Sequence, residues 1–257
     1  MNKTDAILDK YKLLVEKYQL IENELSEIDI HDKRVILRKI FPILSAYKMN
    51  ASAIKNGEKA FRLFGKLRDV QVQILKLEDV QMSTELSCYL SMLKEKESEL
   101  KAKAHKFTKK KKVVFPKLNK KRKIEKSKIL NKANKLLDKL ELKIYSGFID
   151  DPANIHKLRI KFKKFRYQVE MLSYIEKVDP RSLNKLKSYQ DQLGEINDYE
   201  VLINGIEKYY SNKEWEEDPV IALFEQEQNT LYETFIFNTE TFVKDCRVTL
   251  QLKQIWA

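Results

Sequence analysis

The chain has 257 residues, a net charge of +12 and a pI near 9.3. It is long enough for one large core or two smaller ones, and its charge favours a polyanionic partner: nucleic acid, an anionic membrane surface or an inorganic polyanion. With only 5 Gly and 5 Pro, 34% charged residues and apolar residues recurring at helical spacing, the composition points to an all-α protein with long helices and away from strand-rich folds. There is no apolar run of about 18 residues to span a membrane, the N-terminal MNKTDAILDKYKLL lacks the apolar region of a signal peptide, and the two cysteines, Cys88 and Cys246, form no CxxC pair. These features fit two free thiols in a reducing cytoplasm.

In chain order, the pattern predicts a first helix over about 4–27 and a basic helix over about 30–48. A third follows over about 57–80 and a fourth over about 83–106. HKFTKKKKVVFPKLNKKRKIEK, 105–126, is a basic connection broken by Pro116. A long helix is expected over about 119–146. SGFIDDPAN is a turn, with Asp151-Pro152 as a helix start. A second basic helix covers about 152–177, another helix about 180–210, and a last one about 219–254 after NKEWEEDP. Short connections favour antiparallel neighbours, so each half is expected to form a four-helix bundle. Charge is uneven: residues 101–128 hold fourteen Lys or Arg and one acid, whereas 211–245 hold nine acids and two lysines.

The two basic helices share one design. In IHKLRIKFKKFRYQVEML, with His156 at 0° and about 100° per residue, Arg159, Lys163, Arg166 and Tyr167 fall within about 280–20° and Lys164 at about 80°. Leu158, Phe162, Phe165, Val169 and Leu172 occupy the opposite face. Upstream, IHDKRVILRKIFPIL sets His31, Arg34, Arg38 and Lys39 at the same spacing, 125 residues earlier, with Ile36, Ile40, Ile43 and Leu44 opposite. Like charges at i,i+4 repel, a cost that a face receiving an anion would require. Downstream of each copy, FGKLRDVQVQI (64–74) and LGEINDYEVLI (193–203) align Gly65 with Gly194, Asp69 with Asp198 and Val72 with Val201 at an offset of 129. Two motifs recurring in one order at nearly one offset indicate a tandem duplication of a helical unit.

These four motifs resemble the conserved-histidine α-helical domain (CHAD) family, over about 25–254. Its pattern is a His-x-x-Arg-x-x-x-(Arg/Lys)-(Arg/Lys) helix followed by a Leu-Gly-x-x-(Arg/Asn)-Asp segment, twice. The second copy matches closely, including Arg166, Tyr167 and Glu170; the first has Phe41 and Pro42 in place of Arg166 and Tyr167, and Gln71 where the family often has an acid. Pro42 removes a backbone donor, so a kink and a shorter phosphate grip are expected there. The resemblance implies one domain over 1–257: a first repeat at 25–106, the basic connection and long helix at 107–150, and a second repeat at 151–254. It further implies two pseudo-symmetric four-helix bundles enclosing a basic cleft that binds inorganic polyphosphate, and a place on polyphosphate granules. A nucleic-acid-binding helical protein is the alternative, although no helix-turn-helix, zinc-finger or RNA-binding signature is present.

Arginine suits two adjacent phosphate oxygens and lysine acts as a movable point charge. The candidate polyphosphate ligands are therefore His31, Arg34, Arg38, Lys39, His156, Arg159, Lys163, Lys164, Arg166 and Tyr167. Lys55, Lys59, Arg62 and Lys66 form a further stripe, either a second wall or an ordinary solvated face; the aligned Ser188, Asp191 and Glu195 are not basic. Tyr167 either contacts ligand or simply packs. Asp69 and Asp198 read better as acids holding Arg34 and Arg159 than as magnesium ligands, since no P-loop, GxSxG or paired-carboxylate motif accompanies them. No enzyme activity, metal or cofactor is expected. His105 lies in a lysine run and reads as solvated. The 105–126 run is either a solvated linker or frayed helix end, or a nonspecific anion tether.

Overall fold

Ser26 opens the first basic helix. Its hydroxyl accepts from the Asp29 amide, and the Asp29 carboxylate accepts from the Ser26 amide, a reciprocal cap that satisfies two donors otherwise orphaned at a helix start. That cap places the start a turn earlier than the hydrophobic pattern did. The computed structural model describes residues 3–21, 26–81, 83–119, 122, 124–211 and 219–251. Among them the helices are α1 (Lys3–Leu20), α2 (Glu27–Ala46), α3 (Gly57–Glu78), α4 (Thr84–Lys110), α5 (Lys126–Tyr145), α6 (Ile155–Ser173), α7 (Pro180–Tyr210), α8 (Pro219–Phe237) and α9 (Thr239–Gln251). No β-strand occurs among the described residues, only an isolated bridge between Lys55 and Val114.

Several boundaries differ from the expected ones. The first helix ends at Leu20, and the 22–25 stretch of its expected span lies outside the described residues. α2 runs as one helix through Pro42 to Ala46. α5 starts at Lys126 rather than 119. The expected last helix is two, α8 and α9, parted at Asn238, whose side chain donates back to the Thr234 carbonyl. Residues 212–218, most of NKEWEEDP, lie outside the described residues.

The packing divides the chain into two compact units. The first is Met1–Lys123 with Gly205–Val220, and the second is Ile124–Asn204 with Ile221–Ala257. In the first, α1 packs on α2, α2 on α3 and α3 on α4. Its core is built from the apolar stripes: Ile30, Leu37, Ile40, Ile43 and Leu44 of α2, and Phe64 and Leu67 of α3, are all 0% exposed. In the second, α5 packs on α6 and on α9. Leu158, Phe162, Phe165, Val169 and Leu172 are buried as the wheel requires, and Phe162 sits 4.9 Å from Phe242 in an aromatic cluster that includes Phe235 and Tyr189. Each large side chain buried there contributes roughly 1.5–3 kcal/mol by leaving water.

Among the described residues, the 105–126 run is anchored over much of its length. Its first residues, through Lys110, complete α4. The following segment is strapped to the first unit: Lys55 and Val114 exchange both backbone hydrogen bonds, Asn56 donates to the Lys112 carbonyl and Tyr11 donates to the Pro116 carbonyl. Phe115 packs edge-on against Tyr18 at 5.2 Å, and Arg122 donates to the Tyr47 carbonyl. The apolar residues within the lysine run supply these anchors, while Lys106, Lys109–Lys112 and Lys117 are exposed.

Candidate anion-binding faces

Within each unit a basic helix lies beside the helix that carries the aligned glycine, and the glycine receives an arginine. A Cβ built on Gly65 would lie 3.3 Å from Arg34 Nη2; one on Gly194 would lie 3.9 Å from Arg159 Nε and Nη2. The two arginines, aligned by the 125-residue offset, therefore rest on two glycines aligned by the 129-residue offset. At Gly65 a side chain would crowd the guanidinium, whereas at Gly194 a Cβ would meet it at ordinary van der Waals separation. The arm is half-buried in both copies, and much of its rotamer entropy, up to about 2 kcal/mol, is already spent before any ligand arrives.

The histidines follow the same alignment. His156 Nδ1 is hydrogen-bonded to Asn197 Oδ1, which fixes the ring and leaves Nε2 as its other polar atom. Position 197 aligns with Arg68, and Arg68 is the strongest charged neighbour of His31. Burial first, then Arg68, with Arg38 and Arg34, pulls the His31 pKa below its ordinary 6.5, while Asp32 opposes them. His31 is thus biased to the neutral form until an anion arrives, whereas His156 is positioned by a neutral amide. Neither Arg68 nor Asn197 was among the expected ligands, although both occupy the Arg/Asn place of the Leu-Gly motif.

The copies diverge one turn further on. In the first unit Phe41 packs edge-on against Phe61 at 5.4 Å, and Arg34 and Arg38 lie 5.5 and 6.0 Å from the Phe61 ring centroid. In the second, the aligned pair is Arg166 and Gln190: Arg166 Nε donates to Gln190 Oε1 at 2.8 Å. Arg166 also lies 3.8 Å from Glu170 and 4.7 Å from the Tyr167 ring centroid, and its side chain is 15% exposed. The extra arginine of the second copy is therefore largely held by α6 and α7 side chains. Tyr174 donates to Glu170, and its pKa is raised by burial and by that carboxylate.

The expected ligand set is split by the structure. His31, Arg34 and Arg38 gather against α3, and His156, Arg159 and Arg166 against α7. Lys163 and Tyr167 are half-buried on α6. Lys39 faces the other way: it lines a cavity of about 420 Å³ between α1 and α2, with Lys10, Lys17 and Asp32 around apolar residues such as Leu14 and Ile36. Lys164 likewise approaches Lys132 of α5, whose pKa is lowered by burial and then by Lys164. Lys59, Arg62 and Lys66 are exposed on α3, with Arg62 3.3 Å from Glu58, and Lys55 lies outside the helix in the bridge to Val114. Asp69 is exposed on α3 and Asp198 is half-buried on α7.

No group of three or more metal-ligating side chains occurs among the described residues. Cys88 is exposed and Cys246 buried, both as free thiols, and burial raises the Cys246 pKa well above its ordinary value. No helix among the described residues is long and apolar enough to cross a membrane. Compared with known families, residues 18–205 match the model described as CHAD domain, a span that ends within α7 and leaves out α8 and α9, which the resemblance had included. No curated protein and no solved structure matches the chain.

Proposed function

The chain belongs to the CHAD domain family, and from that membership we propose that it binds inorganic polyphosphate without turning it over, on the cationic flanks that α2 holds against α3 and α6 holds against α7. In this reading the two flanks derive from an internal duplication. The observation that carries it is the repeated arginine-on-glycine seat, Arg34 on Gly65 and Arg159 on Gly194. An arginine kept only for solubility gains nothing from a seat. One that must meet a phosphate oxygen gains affinity from having its arm ordered in advance. His31 and His156, at the head of each stripe, add a donor that an anion makes stronger by favouring the imidazolium. The flanks offer charge without base-reading geometry, which suits a ligand that has no sequence.

The test is a titration of long-chain polyphosphate against Arg159→Glu/Lys163→Glu, with the helical circular-dichroism signal as the folding control. Binding is expected to weaken at least tenfold at ~150 mM salt. The slope of log K against log salt is expected to flatten by at least roughly 1.4, at ~0.7 for each phosphate no longer neutralised. Undiminished binding would show that the flank is not the site. Duplex DNA, added at equal phosphate concentration, is expected to compete poorly. Displacement phosphate for phosphate would move the nucleic-acid reading ahead.

A further inference from the structure

A second set of cations lies on the other side of α6. Along α5, Lys128, Lys132, Lys135, Lys139 and Lys143 are spaced 4, 3, 4 and 4 residues apart. On a wheel at about 100° per residue they fall within an arc of about 80°, flanking the buried stripe of Ile129, Ala133, Leu137, Leu140 and Ile144. Along α6, Lys157, Lys161 and Lys164 follow at spacings of 4 and 3, at about 80–140° from His156 on the same wheel. They are thus separate from the Arg159 flank. α5 and α6 are the most extensively packed helix pair of the second unit.

The two rows approach each other at two points. Lys132 approaches Lys164, and Lys143 approaches Lys161 and Lys157 closely enough that, after burial, each neighbour lowers its pKa. Phe148, in the turn between the helices, lies under two of these ammoniums, with Lys143 Nζ 3.1 Å and Lys157 Nζ 5.6 Å from its centroid. Lys157 also donates to Asn154 Oδ1 at 2.9 Å. Between Ile155 and Val169 the sequence holds no acid. Glu125, which caps α5, pairs with Lys128 at 2.6 Å; the α5 acids Asp138 and Glu141 lie off the lysine arc on the same wheel, and Glu141 is taken by a bidentate pair with Arg247. The Phe148 ring is already covered by ammonium groups, so it offers no stacking platform for a base.

We propose that the facing lysine rows of α5 and α6 form a second track for an extended inorganic polyphosphate chain, on the flank of α6 opposite the Arg159 seat. This rests on the polyphosphate reading of that seat and adds to it. Rows of like charge spaced at i,i+4 and brought together across a helix pair destabilise the free protein; a flexible polyanion lying along them removes that repulsion. From Lys132 to Lys143 the α5 row spans eleven residue steps, about 16 Å, so the track favours long chains over short ones.

The experiment compares Lys135→Gln/Lys139→Gln/Lys157→Gln/Lys161→Gln with Arg159→Glu/Lys163→Glu in the full chain, using long-chain polyphosphate and tripolyphosphate as probes between about 50 and 200 mM salt. The row variant is expected to weaken long-chain binding at least tenfold and to lower the salt slope by roughly 2–3, at ~0.7 for each of its four lysines, while tripolyphosphate affinity is unchanged. The matching Lys→Arg quadruple variant is expected to bind as the parent does, which separates charge from folding. Unchanged long-chain affinity and slope in the row variant would overturn the track, and the Arg159 reading would survive if its own variant lost binding. If the Arg159 variant kept both probes, the seat reading would fail instead. A parallel loss of duplex DNA binding in the row variant would identify a general nucleic-acid surface and overturn the proposal.

Discussion

Alanine at the two seat glycines should have opposite consequences. In a helix interior alanine is favoured over glycine by about 0.5–1 kcal/mol. At Gly194 the new Cβ would meet nothing nearer than 3.9 Å, ordinary van der Waals separation, so Gly194→Ala should keep that gain and raise Tm by about 1–4 °C. At Gly65 the Cβ would stand 3.3 Å from Arg34 Nη2, so the guanidinium must give way by a few tenths of an ångström. A charge-assisted hydrogen bond aimed from that position loses length and angle together. A loss of about 1 kcal/mol, or roughly fivefold in affinity, follows. The assay is thermal unfolding together with tripolyphosphate titration, each alanine placed where the other flank is disabled (Arg159→Glu/Lys163→Glu for Gly65, Arg34→Glu/Arg38→Glu for Gly194). If Gly194→Ala weakened binding as much as Gly65→Ala, or if Gly65→Ala bound like its parent, the seats would have no part in gripping the anion.

His31 should make binding pH-dependent. Its folded pKa lies below the ordinary 6.5, because burial and Arg68 disfavour the imidazolium, so the unfolded chain protonates first as pH falls. The histidine is neutral to stability above about pH 6.5 and costs stability below it. A bound anion reverses the bias, so polyphosphate binding should take up protons near pH 6.5 and strengthen as pH falls. Calorimetry in two buffers of different ionisation enthalpy should show that uptake shrinking in His31→Gln. Phe162→Ala, at a 0%-exposed position in the aromatic cluster, should cost about 3–5 kcal/mol by chemical denaturation; a loss under about 1 kcal/mol would mean the cluster is loosely packed. Incubation of polyphosphate with the protein and magnesium or manganese should release no more phosphate than the Asp69→Asn/Asp198→Asn control, and clear excess release would establish catalysis.

Much of the candidate site was legible because helical periodicity is local. The spacing of Leu158, Phe162, Phe165 and Val169 determines which face α6 buries, and the opposite face then belongs to His156, Arg159 and Lys163 whatever packs nearby. The same logic failed where a boundary depended on capping or on distant partners. Ser26 and Asp29 start α2 a turn early, and the lysine-rich run reads as loose because its anchors, Val114, Phe115 and Pro116, find partners more than 50 residues away. Arg68 and Asn197 carried a signal, since the 129-residue offset aligns them, but their role is visible only once each stands beside a histidine.

The sequence by itself determined the all-α class, the apolar faces of the basic helices, the doubled motif and the family, all encoded in short-range spacing and residue type. Only the tertiary structure decided how the cations are divided. Arg34 and Arg159 turn to glycines, Arg166 is drawn into a network with Gln190 and Glu170, and Lys39 and Lys164 face α1 and α5. A helical wheel states the angle of a side chain about its own axis. What it meets at that angle is set by packing between helices remote in sequence, and that decides which charges are ordered and which are paired.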